Sequence, residues 1–198
     1  MMMRNAAVGL AVALGLGACS VVDTSSRNLS LEAPLDLDVA APVTAVQAVN
    51  VVVPDSLLVS ERNGYYPMTD IVWRGDPIGD RHDQVAALFQ TAVDRVVPGL
   101  EAEGLPAVAT ITLTRFHGVT ERTRYSVGGV YSIAFTLEMT DPLTGQPLAP
   151  AELVELALTA PGGQAAVALE QAGQTEKVRV VDFLTQMLAI ELAGGDAA

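Results

Sequence analysis

The chain has 198 residues, 23 of them acidic and 11 basic, with a formal charge of −12 and a single cysteine. That balance argues against nucleic acid or an anionic lipid surface as a partner, because both need clustered positive charge. One cysteine excludes an internal disulfide, so a domain of this size must be stabilised by packing.

Met1-Met2-Met3-Arg4 is a short head with one positive charge, and Ala6 to Gly17 is an uncharged apolar run. A basic head, a short apolar middle and small residues at its end form the pattern of a signal peptide. The run falls short of the ~20 apolar residues that a membrane-spanning helix needs, and no membrane span is expected in the remaining chain. Leu16-Gly17-Ala18-Cys19 resembles a bacterial lipobox. The resemblance implies cleavage before Cys19, a diacylglycerol on its sulfur and a further acyl chain, such as palmitate, on the new amino group. More than one chain is physically required, since a single acyl chain anchors a protein only marginally. Ser20 in the next position implies sorting to the outer membrane, facing the periplasm. Residues 1–18 are thus expected to be a signal peptide, 19–41 a lipidated N-terminus and flexible tether, and 42–194 a single α+β domain. Loss of Arg4 takes the charge from −12 to −13.

Val43 to Val53 is rich in β-branched residues and ends at Pro54-Asp55, which predicts a buried strand. A shorter apolar patch, Ser56 to Ser60, follows. Glu61 to Asp80 is an irregular loop holding Asn63-Gly64, two prolines, two of the four tyrosines and the only tryptophan; within it Ile71-Val72-Trp73 fits a short strand. Asp80 fits a helix N-cap. Val85, Leu88, Phe89, Ala92, Val93, Val96 and Val97 then form one apolar stripe, so Arg81 to Val97 is predicted to be an amphipathic helix. His82 in its first turn is expected to be a surface residue.

Ala107 to His117 sets Thr110, Thr112 and Thr114 against Ile111 and Leu113, a strand with one polar face. Glu121 to Val127 is expected to be a polar strand or hairpin arm. Tyr131, Ile133, Phe135, Leu137 and Met139 share one face of the cleanest period-two stretch. Asp141 to Gly145 turns the chain into a further strand around Val154, Leu156 and Leu158. Gln164 to Gln171 fits a first helical piece. Thr175 fits the cap of a second, with Val178, Val181, Leu184, Leu188 and Leu192 as its stripe, widened by Phe183, Met187 and Ile190. The order predicts an α+β two-layer sandwich, a mostly antiparallel sheet of four or five strands with two main helices on one face.

The sequence contains no Gly-x-Ser-x-Gly elbow, no phosphate-binding glycine loop and no His-x-x-x-His spacing. Carboxylate pairs (Asp36/Asp38, Glu101/Glu103, Glu152/Glu155) sit in polar or loop settings. No catalytic residue, metal or cofactor is therefore expected, and a non-enzymatic protein is the reading. One constellation stands above background: Tyr65, Tyr66, Trp73 and Arg74 in the loop, with Arg115, His117, Arg122 and Arg124 in the strands. Aromatics and arginine are enriched at interface hot spots, and cations gathered in an acidic chain focus a local field for an acidic partner or a phosphate head group. The competing reading pairs Arg122 and Arg124 with Glu121 and Glu138 and puts Trp73 in the core.

Val51-Val52-Val53-Pro54, Ile71-Val72-Trp73-Arg74-Gly75-Asp76-Pro77, Arg115-Phe116-His117, Tyr125-Ser126-Val127-Gly128-Gly129-Val130 and Gly162-Gly163-Gln164-Ala165-Ala166 together resemble a family of uncharacterised bacterial envelope lipoproteins, a domain of unknown function. More distantly, the layout is similar to the auxiliary lipoproteins of lipid-transport ABC systems. The resemblance implies an envelope lipoprotein and brings no catalytic residues. Two functions follow as expectations. One is an accessory or assembly factor that binds an envelope protein partner. The other is a lipid- or glycan-binding module with a cleft between sheet and helices. A flat aromatic–arginine patch favours the first and a sizeable apolar cavity the second.

Overall fold

A computed structural model describes residues 44–100 and 103–194. The expected signal peptide, Cys19, the tether and Glu101 lie outside the described residues. The elements are β1 (Thr44–Val52), β2 (Ile71–Val72), α1 (Arg81–Val96), β3 (Leu105–His117), α2 (Glu121–Arg124), β4 (Gly129–Thr140), β5 (Glu152–Ala160), α3 (Gln164–Gln171) and α4 (Glu176–Leu192).

The five strands form one open sheet in the order β1-β3-β4-β5, with β2 following β1 along the same edge of β3. The α+β class is as expected, but the sheet is mixed. β3, β4 and β5 are antiparallel neighbours, while β1 and β2 run parallel to β3. The reason is connectivity: α1 carries the chain from β2 back to the start of β3, and a strand–helix–strand crossover delivers parallel strands.

Asp80 caps α1 as expected, its Oδ1 accepting from the backbone N–H of His82 and Asp83 at 2.9 and 3.2 Å. Its stripe meets α4 and one face of the sheet. Phe89 stands edge-on to both Phe116 and Phe135, with centroids 6.3 and 5.7 Å apart. Such pairs contribute about 0.5–1.5 kcal/mol each beyond burial. Along α4 the buried apolar residues are Val180, Val181, Leu184, Leu188 and Leu192, while Val178 and Ile190 reach solvent. The stripe is thus rotated slightly from the one expected.

Two further expectations are corrected. β1 is an edge strand: only Ala45 and Val46 are buried, and Val52 is exposed. Its β-branched composition reports strand propensity, which does not separate edge from centre. Glu121 to Val127 is not a strand. Thr120 accepts from the Thr123 backbone N–H at 3.2 Å and starts the short helix α2, because a capped turn satisfies these polar backbone groups locally.

A bulge in β3 decides what its second half presents. Ala107, Ala109, Ile111 and Leu113 face the core. Pairing with β4 runs Leu113↔Phe135, then Arg115↔Ala134, leaving Thr114 without a partner. One extra residue reverses the alternation. Phe116 therefore points into the core, and Arg115 and His117 turn to the opposite, outer face.

Candidate functional site

The outer sheet face is polar along most of its length, with Thr110, Thr112, Ser132 and Thr136 on β3 and β4. At the end of β3 the loop from Asn63 to Pro67 folds over it. Four groups of the segment following the bulge hold this loop. The Arg122 backbone N–H donates to Asn63 Oδ1 at 2.8 Å. The Thr120 hydroxyl donates to Gly64 O at 2.6 Å and the Thr123 hydroxyl to Tyr65 O at 2.8 Å. His117 Nε2 bonds Pro67 O at 2.8 Å and so carries the proton in that contact. Buried hydroxyls and imidazoles need such partners, and the loop carbonyls supply them.

The loop side chains are ordered by the same segment. Tyr66 stacks on the buried His117 ring with centroids 4.3 Å apart, and Arg115 donates to the Tyr66 hydroxyl at 2.7 Å. The Arg122 guanidinium lies over the Tyr65 ring, 4.5 Å from its centroid. Arg122, with help from Ser126, lowers the Tyr65 phenol below its ordinary value of 10.0. Between loop and sheet runs a groove of about 360 Å³, lined by Tyr65, Tyr66, His117, Val127, Val130 and Ser132 over a floor that includes Gly118, Gly128 and Gly129. Tyr65 and Tyr66 are 53% and 61% exposed. Among the described residues no acidic side chain lines this groove. Of the carboxylates on this sheet face, Glu138 lies further along, opposite Thr110, whereas Glu155 stands in the row of Arg115, across Ala134 from it.

The structure thus brings together Tyr65, Tyr66, Arg115, His117 and Arg122. It separates the other three. Trp73 is fully buried on the core side, edge-on to Phe116, and its indole N–H donates to Asp76 Oδ2 at 2.8 Å. Gly75 sits directly against the indole, where a Cβ would come within 2.3 Å of the ring. Trp-Arg-Gly-Asp-Pro is therefore a packing unit. Arg74 is buried too, bridging Glu61 at 2.9 Å and Glu121 at 3.4 Å, while Arg81 bonds the other oxygen of Glu61 at 2.8 Å. Arg81, against a desolvation penalty and with help from Arg74, holds Glu61 below its ordinary 4.5. Burial opposes the charge on Asp76, but Lys177 and the Trp73 indole outweigh it and the carboxyl stays below 3.8.

Arg124 belongs to a buried cluster on the core side. It meets Glu170 at 3.3 Å and Glu176, whose other oxygen accepts from the Tyr131 hydroxyl. This ties α2 to α3, α4 and β4. The pairing expected for Arg124 is real in kind, but its partners come from the last two helices rather than from Glu121 or Glu138. His82 is half-buried, with Nε2 at 3.0 Å from Leu57 O. The groove residues that sequence reasoning missed are Val127, Val130 and Ser132, with Thr120 and Thr123 as loop holders. The one signal for the latter was Thr120 followed by Glu121, a cap and an acidic first turn.

A second recess, of about 120 Å³, is lined by Thr44, Leu137, Met139, Leu148, Pro150, Glu152 and Glu191. Among the described residues no three His, Cys, Asp or Glu side chains converge as a metal would require. None of the described helices is long and apolar enough to cross a membrane.

Residues 44–198 match the sequence pattern of a family of unknown function, DUF6778. The matched range includes every motif stretch on which the resemblance rested. No curated protein matches. Among solved structures, the chain is similar to a candidate lipoprotein from Caulobacter crescentus CB15 at 12% identity. That alignment covers 73% of this chain and 87% of the other, with a TM-score of 0.36. It is also similar to a minor lipoprotein from Acinetobacter baumannii at 8% identity, covering 74% and 92%, with a TM-score of 0.33. An uncharacterized protein aligns at 19% identity over 77% and 91%, with a TM-score of 0.32.

Proposed function

The chain belongs to the DUF6778 family of unknown function, and we propose that it is a lipid-anchored, periplasm-facing envelope lipoprotein that binds a protein partner through the Tyr65–Tyr66 groove as a non-enzymatic accessory. The observation that carries this is the loop itself. Two half-exposed tyrosines stand in a loop held by hydrogen bonds to the backbone of Gly64, Tyr65 and Pro67, with Arg115 bonded to the Tyr66 hydroxyl and Arg122 over the Tyr65 ring. Rigid aromatic anchors beside arginine are the composition of a binding hot spot, and their order before binding lowers the entropy cost of association. The lining mixes aromatics, glycine and hydroxyls and is less aliphatic than an acyl-chain site, which favours a protein partner over a lipid.

The test is crosslinking in intact membranes followed by capture of the full chain. A reproducible protein partner that is lost with Tyr66→Ala and retained with a substitution at exposed Leu143 is the expected result; copurified lipid without protein overturns it. The anchor is tested separately. Cys19→Ala is expected to move the chain from the membrane to the soluble fraction, and the mature N-terminus should carry acyl mass on Cys19. An unmodified cysteine there removes the lipoprotein reading.

A further inference from the structure

Among the nine described basic residues, Arg74, Arg81, Arg95, Arg124 and Lys177 are each ion-paired with a carboxylate. In a chain with 23 acidic residues against 11 basic ones, that is the expected fate of a cation. Arg115 and Arg122 make no such pair among the described residues, and they contact the groove residues Tyr66 and Tyr65. Of the other two, Arg62 precedes Asn63 in the same loop, and Arg179 donates to Thr159 O on the far edge of the sheet.

The two groove arginines are also placed to receive an acceptor. Arg115 uses one terminal nitrogen on the Tyr66 hydroxyl and its Nε is buried, which leaves terminal N–H donors of the guanidinium for an incoming acceptor. Arg122 sits over the Tyr65 ring, its Cζ 4.5 Å from the centroid. A guanidinium carries five donors, and a carboxylate can accept two of them in parallel. One face of each tyrosine is already covered, by His117 and by Arg122, so the pair does not form the open stacking platform a sugar ring needs.

Resting on the reading of this groove as a partner site, we infer that its occupant is an extended acidic polypeptide segment, whose Asp or Glu carboxylates meet Arg115 and Arg122 while apolar side chains lie against Tyr65, Tyr66, Val127 and Val130.

The test titrates the purified full chain in detergent with labelled short peptides of one apolar pattern, carrying Asp/Glu, Asn/Gln or Lys at the alternate positions. Vesicles of phosphatidylethanolamine with and without phosphatidylglycerol form a separate arm. The acidic peptide is expected to bind about tenfold or more tightly than its amide counterpart, to weaken as salt is raised, and to lose that advantage with Arg115→Gln and Arg122→Gln together. The amide substitutions are chosen because they leave the fold testable by an unchanged melting transition, and Arg122→Gln alone, at an exposed site, should already lose part of the effect. Equal binding of acidic and amide peptides, no binding of the acidic one, or binding that survives both substitutions overturns the inference. Groove-dependent binding to phosphatidylglycerol vesicles without peptide discrimination overturns it in favour of a lipid surface. If the membrane capture still yields a Tyr66-dependent protein while the peptides show no acidic preference, the partner site stands and only the acidic occupant falls.

Discussion

At the scale of single residues, identical chemistry has been put to opposite uses. Trp73 and Tyr66 both belong to the aromatic class that marks interfaces, yet one is fully buried and the other more than half exposed. Trp73→Ala is expected to cost about 3–5 kcal/mol of stability through its cavity, and Tyr66→Ala to stay within about 1 kcal/mol while abolishing partner capture; chemical denaturation of both variants measures the contrast. The arginines divide in the same way, Arg74 and Arg124 inside and Arg115 and Arg122 at the rim. This is why residue type alone selects eight candidates of which the fold brings five together: composition reports what a side chain can do and is silent on which face of the sheet it reaches. Thr123 offers a cleaner probe. Thr123→Val keeps the volume and removes the hydroxyl that holds Tyr65 O. It should lower stability by about 1 kcal/mol but weaken partner binding more than that, read as a melting shift beside a binding isotherm.

Among the elements, those with a long, regular period were legible and those set by local accidents were not. α1, α3, α4, β4 and β5 follow from spacing and caps, as at Asp80 and Thr175. The bulge at Thr114 leaves no mark that alternation could reveal, since Leu113, Arg115 and Phe116 read equally well in either parity. α2 is a single turn, too short for a period, and its polar alternation imitates a strand. Yet this turn carries Arg124 into the cluster with Glu170 and Glu176. Arg124→Ala leaves a buried carboxylate unpaired and is expected to cost about 3–5 kcal/mol. Urea unfolding checks this, and the loss should also loosen the loop, because Thr120 and Thr123 sit on the same turn.

For the whole molecule, five of the nine described basic residues are held in ion pairs, and two of these pairs join the loop to the helices. Glu61 links the loop to α1 through Arg81, and Asp76 links it to α4 through Lys177. Both carboxyls titrate lower in the folded state than in the unfolded chain. Their contribution is therefore full above pH 4.5 and is lost as pH falls through their depressed folded values. A melting series from pH 7 downward should show stability falling below that point, and Glu61→Gln should flatten part of the slope. Glu191 behaves oppositely. Desolvation, and then the charge of Glu152, raise its pKa, so its charged form is unfavourable at neutral pH and relieved by protonation. Glu191→Gln should raise the melting temperature at pH 7 and make no difference once the pH lies below both its folded and unfolded values.

The grip on the Asn63–Pro67 loop has a consequence for how such a groove changes its target. Three of the four bonds end on main-chain oxygens, at Gly64, Tyr65 and Pro67, and a main-chain oxygen is the same whatever side chain its residue bears. The loop can therefore exchange the groups at positions 65 and 66 without being rebuilt, much as a fixed socket accepts different bits. Retargeting would need new tips and no new scaffold.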